Sequence, residues 1–314
     1  MNKIKLGILQ GGSSVEREIS FKSADNILNN IDKNKYDIIV YNVPENKDNL
    51  WIEKLISDKP DIVLSALHGG KGENGVVQGL LQCLCIPYVG SKVTGSAICM
   101  NKLLSKQLME FNHIPVIEGF CVLKEHTASY FYDEAEKIGY PLIVKPNRGG
   151  SSIGISVVYN QGELLKAIEY IREKYNDDAL VEKYIIGQEV TCGVIQTGQG
   201  LKVMSVLDIN AEGDIYDYES KYVKEKSSVS FTKLPQYMQI MIEEIAKKAF
   251  CVLKCSGYGC VDMIISQEQV YVIEINTLPG MTLNSLIPAA AKGVGMTLGE
   301  FLDELIAYEL NLER

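Results

Sequence analysis

Three short apolar runs in the first third of the chain, IKLGIL (4–9), YDIIVYNV (36–43) and DIVLSAL (61–67), are separated by stretches of helical period. Such connections are long enough to cross over a sheet, so the strands are expected to run parallel with helices on both faces, as in a Rossmann-like domain. Helices are expected over 15–30, around 49–57 and over 74–85, with IPYVG (86–90) as a short fourth strand. A long helical pattern then runs from Val93 to about Asn112, ended by Pro115. GFCVLK (119–124), a helix near 128–138, PLIVKP (141–146), GISVV (154–158), a helix over 161–174 and ALVEKY (179–184) form a small α+β unit. After Gly187, EVTCGVIQ and KVMSVLDI suit an antiparallel sheet, followed by a helix at 236–254, a strand pair and a final helix at 297–310. The chain therefore reads as an α/β unit followed by α+β units, with bounds 1–95, 96–185 and 186–314.

No run approaches the roughly 18 apolar residues of a membrane span. MNKIKLGILQGG leads straight into a strand with no small-residue cleavage site behind it, so a cytosolic (cytoplasmic) protein with no membrane partner is expected. The eight cysteines sit mostly in apolar surroundings such as LLQCLCIPYV, with no CxxC pair and only three scattered histidines. They read as small hydrophobes rather than as a disulfide framework or a zinc site. A net charge of −9 without a Lys/Arg block argues against nucleic acid. An anionic small substrate remains compatible, because a few local cations outweigh a distant average field.

Near the C-terminus, GCVDMIISQEQVYVIEIN reads as two strands joined by a turn at SQEQ. Alternation puts Glu274 and Asn276 on one face, and a turn centred near Gln267-Glu268 is expected to bring Asp262 opposite them. Two carboxylates and an amide carbonyl suit a magnesium ion that also holds phosphate oxygens. An amphipathic hairpin with its polar face in water fits the same spacing.

PLIVKPNRGGSSIGIS (141–156) delivers Lys145 from a strand and follows it with Gly149-Gly150-Ser151-Ser152. Glycines let backbone N–H groups approach a phosphate, though a plain hairpin turn reads equally. The Walker pattern is absent, which argues against a P-loop NTPase. Glu182, Lys183 and Glu189 in VEKYIIGQEV could face an adenine or a ribose, or form a solvated edge. LQGGSS (9–14) makes an anion-friendly helix start with Glu16 in the first turns, and ALHGGKGENG (66–75) places His68 at a strand end, where open α/β sheets bind ligands or hold a structural histidine.

Taken in this order, GGSSVEREIS (11–20), ALHGGKGENGVVQG (66–79), MNKLLSK (100–106), IVKPNRGGSSIG (143–154), VEKYIIGQE (181–189), YDYESKY (216–222) and VDM…EINTLPGMT (261–282) resemble the D-alanine–D-alanine ligase family of ATP-grasp enzymes. The resemblance covers essentially the whole chain. It implies an ATP-grasp fold, ATP and two Mg²⁺ (or Mn²⁺) ions as cofactors, and ligation of two D-alanines through a D-alanyl phosphate for peptidoglycan precursors. It also implies Lys102, Lys145, Ser151, Ser152, Glu182, Lys183 and Glu189 as nucleotide contacts and Asp262, Glu274 and Asn276 as metal ligands. Glu16, Ser151 and Tyr222 would hold the first D-alanine, and Lys221 the transferring phosphate. His68, Ser285 and Leu286 would meet substrate, with the backbone N–H of Gly280 at the developing oxyanion. A homodimer through the N-terminal unit follows from the same resemblance.

Two departures stand out. The family pattern Gly-Arg-Val-Asp reads Gly259-Cys260-Val261-Asp262, so a donor near the oxyanion is replaced by a thiol that cannot stand in for a guanidinium. VKEKSSVSFTKLP (223–235), in the segment around 216–235 expected to close over the site, also lacks the usual Pro-Ala step. A ligase with another amino acid or hydroxy acid as acceptor, or a nucleotide-binding homologue with weak catalysis, are the alternatives these departures leave open.

Overall fold

The computed structural model describes residues 3–46, 48–151, 153–211 and 227–312. Strands β1 (Ile4–Gly11), β2 (Tyr36–Val43) and β3 (Ile62–Ser65) form a parallel sheet in the order β2-β1-β3. Around it run α1 (Arg17–Asn30), α2 (Leu50–Asp58), the short α3 (Gly70–Glu73) and α4 (Val76–Cys83). The sequence-expected fourth strand reduces to one parallel bridge, Val63 to Tyr88. Val63 pairs with both Pro87 and Val89, and Gly90 then turns away at φ +104. The helical pattern from Val93 is also broken in two, α5 (Val93–Met100) and α6 (Lys102–Phe111). Asn101 between them is extended, and its side chain caps the second helix by accepting from the Leu104 N–H.

β4 (Gly119–Val122), α7 (Ala128–Ile138), β5 (Leu142–Pro146), β6 (Ser156–Val158), α8 (Gln161–Tyr175) and β7 (Ala179–Lys183) form the second unit, an antiparallel sheet in the order β4-β7-β5-β6. α8 starts on a reciprocal cap: Asn160 Oδ1 accepts from the Glu163 N–H, while Glu163 accepts from the Tyr159 N–H. The third sheet, β10-β9-β8-β11-β12, comprises β8 (Gln188–Thr197), β9 (Gly200–Ala211), β10 (Ser227–Phe231), β11 (Tyr258–Ser266) and β12 (Gln269–Asn276). Ser227–Phe231, expected to belong to a closing loop, is thus a strand paired with β9. α9 (Gln236–Val252) lies between the two halves of this sheet in sequence, and α10 (Leu286–Gly293) and α11 (Leu298–Leu312) end the chain.

The parallel sheet buries both faces. Leu9, Tyr41, Leu55 and Val63 form a core on one side. Leu6, Ile8 and Leu64 on the other pack with Phe301, Leu305 and Ile306 of α11 and with Tyr258 and Cys260 of β11. The last helix thus closes over the first sheet, and the Lys92–Glu309 and Lys35–Asp303 ion pairs tie it there. Among the described residues no helix is long and apolar enough to cross a membrane.

Candidate active site

A cavity of about 330 Å³ opens between the two antiparallel sheets. Ile117, Ile153, Ile186, Ile209, Met263 and Ile273 give it apolar walls, and Lys102, Lys145, Glu182, Lys183, Glu189 and Glu274 also line it. β5 and β7 lie side by side and deliver Lys145 and Glu182. Glu182, with no exposed surface, stands between Lys145 Nζ at 2.5 Å and Lys106 of α6. A carboxylate this buried persists as an ion only because it is paired. Burial works against its charge, but Lys106 and Lys145 outweigh burial and hold the carboxyl below the ordinary Glu range. Burial likewise opposes the Lys145 cation, and Glu182 and Glu274 more than offset it, so Lys145 is raised. For Lys106 burial prevails over Glu182, and its ammonium is lowered. Gly119 of β4 faces Glu182 in register, where a Cβ would lie 2.5 Å from the Val181 carbonyl oxygen and 2.8 Å from Glu182 Cγ. Glycine clears that space.

The glycine-rich loop is anchored at its root. Asn147, 1% exposed, donates its backbone N–H to the Asp178 carbonyl (2.9 Å) and accepts at its own carbonyl from the Lys102 N–H (3.1 Å). Its side chain accepts from the Leu103 N–H (2.9 Å) and donates to Asn101 Oδ1 (3.1 Å). Three of these bonds tie the root of the loop to the start of α6. From that start Lys102 reaches the Gly149 carbonyl and lies 3.1 Å from Glu274. Lys183 lines the cavity while its ammonium donates to the carbonyls of Ile138 and Gly139 at the end of α7.

The hairpin holds an unexpected step. Its turn is at Gln267-Glu268, both at positive φ, as expected. The ladder from Ser266↔Gln269 to Met263↔Val272 would continue to Asp262↔Ile273, turning Asp262 away from Glu274 and Asn276. Instead Asp262 pairs with Glu274, and Ile273 is the extra residue of a β-bulge. The bulge, not alternation alone, puts the three oxygen-bearing side chains together. Asn276 Nδ2 donates to Asp262 Oδ2 at 2.8 Å, and Thr191 Oγ1 donates to Asp262 Oδ1 at 2.6 Å. Among the described residues no group of three or more His, Cys, Asp or Glu side chains is gathered, so this set counts two carboxylates and one amide. Asn276 spends its amino group on Asp262, which leaves its carbonyl oxygen as the end able to ligate. An all-oxygen set beside a cavity that also presents Lys102 and Lys145 fits Mg²⁺ or Mn²⁺ completed by phosphate oxygens.

At the other end of the cleft, Ser151 Oγ donates to Glu16 Oε1 across 135 residues of chain. Ser151 sits at φ +52, a left-handed conformation uncommon outside glycine. Gly69 leaves room for Glu16, since a Cβ there would be 2.6 Å from Glu16 Oε2. Ser14 Oγ donates to the His68 carbonyl at 2.5 Å, and the two ring nitrogens of His68 meet Ser23 and the Leu278 carbonyl. Ser285 precedes α10, with its Oγ accepting from the Thr282 N–H and lying where a Cβ on Gly280 would meet it at 2.8 Å. Leu286 is the first residue of that helix. Cys260, 1% exposed, packs against the core that holds Met281 and Ile287, and burial, then Asp262, push its thiol well up. Ser152, Lys221 and Tyr222 lie outside the described residues.

Lys106, Asn147, Thr191, Ser14 and Ser23 were not singled out by sequence. Lys106 carried a signal, four residues after Lys102 on one helical face. The others are small polar residues, Thr191 in β8, Ser23 in α1 and Asn147 and Ser14 in turns, where a solvated side chain reads the same.

Residues 108–307 match the family described as D-ala D-ala ligase C-terminus, and residues 5–59 and 47–91 match D-ala D-ala ligase N-terminus. A D-alanine–D-alanine ligase B of Clostridium perfringens is 38% identical over 98% of this chain and 99% of its own. The crystal structure of a Bacillus anthracis D-alanine–D-alanine ligase complexed with ATP superposes with a TM-score of 0.86 at 34% identity, covering 98% of each chain. That of the VanG D-Ala:D-Ser ligase of Enterococcus faecalis gives 0.85 at 30% identity, covering 98% of this chain and 100% of the other.

Proposed function

The chain belongs to the D-alanine–D-alanine ligase family, and from that premise we propose that it joins two D-alanine molecules at the expense of ATP. The observation that carries the reading is one cleft with two equipped ends: Lys102, Lys145 and Glu182 facing Asp262, Glu274 and Asn276, and the Glu16–Ser151 bond beyond them. In this reading the adenine lies between the isoleucine walls, with Lys183 and Glu189 at its edge. Lys102 and Lys145, with the Gly149–Ser152 loop, hold the phosphates. Asp262, Glu274 and Asn276 would hold two Mg²⁺ (or Mn²⁺) ions, which would screen the charge of the phosphate tail.

The first D-alanine lies against Glu16, Ser151 and Tyr222, with His68 in the wall. A carboxylate is a poor acyl donor, so its oxygen takes the γ-phosphoryl group of ATP, with Lys221 on the moving phosphate. The second D-alanine, set by Ser285 and Leu286, attacks the acyl carbon through its amine, and inorganic phosphate leaves as the C–O bond breaks. The N–H of Gly280 then faces the oxyanion, and with Cys260 buried in the core it carries more of that load. The organisation into units 1–95, 96–185 and 186–314, a homodimer through the first, and a cytoplasmic location belong to the same proposal. Mass spectrometry of the product from ATP, magnesium and a mixture of D- and L-amino acids tests it. D-alanyl-D-alanine is expected. A different dipeptide or ester would name another acceptor, and ATP turnover without ligation would end the ligase reading.

A further inference from the structure

Two residues of α1 and the His68 ring meet the turn Leu278–Met281, which lies 210 to 258 residues away along the chain. Ser23, with no exposed surface, accepts from the Met281 N–H at 3.2 Å and stands 2.9 Å from His68 Nε2. His68 Nδ1 is 3.2 Å from the Leu278 carbonyl oxygen. Asn26, three residues after Ser23 on the same helical face, donates Nδ2 to the Met281 carbonyl at 2.7 Å. None of these side chains lines the nucleotide cavity.

The chemistry of the groups fixes the protons. A carbonyl oxygen can only accept, so Nδ1 of His68 carries a hydrogen. In the neutral ring Nε2 then has only a lone pair, and the Ser23 hydroxyl must donate to it. The Ser23 oxygen keeps lone pairs for the Met281 N–H. Every donor thus finds an acceptor, with Glu73 Oε1 a more distant second neighbour of Nδ1 at 3.7 Å, and the turn is gripped on both sides of Gly280. The turn held in this way includes Gly280, whose backbone N–H the ligase reading aims at the oxyanion.

We propose that Ser23 is a positioning residue for the ligation: it holds His68 in the Nδ1–H tautomer and, through His68 and Met281, fixes the Leu278–Met281 turn beside the reacting carbonyl. The catalytic consequence rests on the ligase reading above; the hydrogen-bond circuit does not.

The full chain labelled with ¹⁵N-histidine gives a direct test, because it has only three histidines, His68, His113 and His126. The unsubstituted protein is expected to show His68 as a neutral Nδ1–H ring, and Ser23→Ala to shift its Nε2 signal. In kinetics, Ser23→Ala should lower turnover and raise the KM for D-alanine, together by about tenfold to a hundredfold in kcat/KM, with the KM for ATP unchanged. An Nε2–H ring or an imidazolium in the unsubstituted protein overturns the proposal without any need for the variant to fold. So does a Ser23→Ala enzyme that handles D-alanine like the parent, or one that loses ATP affinity to the same degree. If the parent releases no D-alanine-dependent ADP, the ligase reading fails, and the nitrogen spectrum still decides the circuit.

Discussion

At the end of the cleft proposed for the nucleotide, Lys106, Glu182 and Lys145 are each less than a tenth exposed and meet as ions. At the end proposed for the amino acids, Glu16 meets Ser151, and Ser23 meets His68 and Met281, through hydrogen bonds, with Glu73 Oε1 standing 3.7 Å from His68 Nδ1. The first set comes from one stretch of about eighty residues, α6 to β7, braced by neighbouring strands. The second joins residues from α1 and the connections after β1 and β3, the glycine loop and the turn after β12, so it exists only when all three are assembled. Buried ion pairs are costly to break but tolerate little adjustment. Hydrogen bonds between distant segments are individually modest, at about 0.5–1.5 kcal/mol each for neutral pairs and about 1.5–3 kcal/mol where a carboxylate takes part.

That contrast can be attacked from the strong end first. Glu182→Gln leaves two lysines buried without their carboxylate, and we expect it to cost about 3–5 kcal/mol of stability, read as a large drop in denaturation midpoint. A loss under about 1 kcal/mol would mean that the two ammonium groups do not depend on Glu182. Glu274→Gln should split the other way. Folding changes little, while Mg-ATP-dependent activity falls by several kcal/mol in barrier, roughly a hundredfold or more. Wild-type-like kinetics would remove Glu274 from the metal site.

Cys260→Arg should raise turnover with D-alanine if a missing cation limits the rate. Because it forces a long side chain into a packed core, it should also lose about 1–3 kcal/mol of stability in urea unfolding. Unchanged or lower turnover would show that the site does not want for a cation. The smallest effect is the acid limb of stability. The Glu182 carboxyl is lowered in the folded state from its ordinary 4.5. Between those values the unfolded chain binds the extra proton, so this contribution is complete above about pH 4.5 and fades as pH falls. Thermal melts across that range, compared with Glu182→Gln, would show the limb in the parent alone.

Much of this was legible in the sequence. The alternation of apolar runs gave the parallel sheet, and Lys145, Glu182 and the Asp262–Asn276 hairpin stood out because charged groups in apolar strands need a reason. Other features were not legible, for identifiable causes. Asn101 ends one helix and caps the next, but an Asn within a continuous helical period looks like any exposed polar position. The fourth strand failed because a five-residue apolar run has room for one bridge before Gly90 turns. α10 was missed because LIPAAAKG carries Pro288 within its first turn, where proline is tolerated, yet it reads as a break. Asn147 and Ser23 act through backbone groups of remote segments, and no local pattern records such partners.

The supernumerary residue in β12 has a consequence for any attempt to tidy this hairpin. Drawing Ile273 into the ladder opposite Asp262 would yield a smoother ribbon with the same turn and an unbroken register, and it would strand the aspartate on the opposite side of the sheet from its two companions. Regularity and chelation are opposed here: the more ideal the strand pair becomes, the less it can grip a cation.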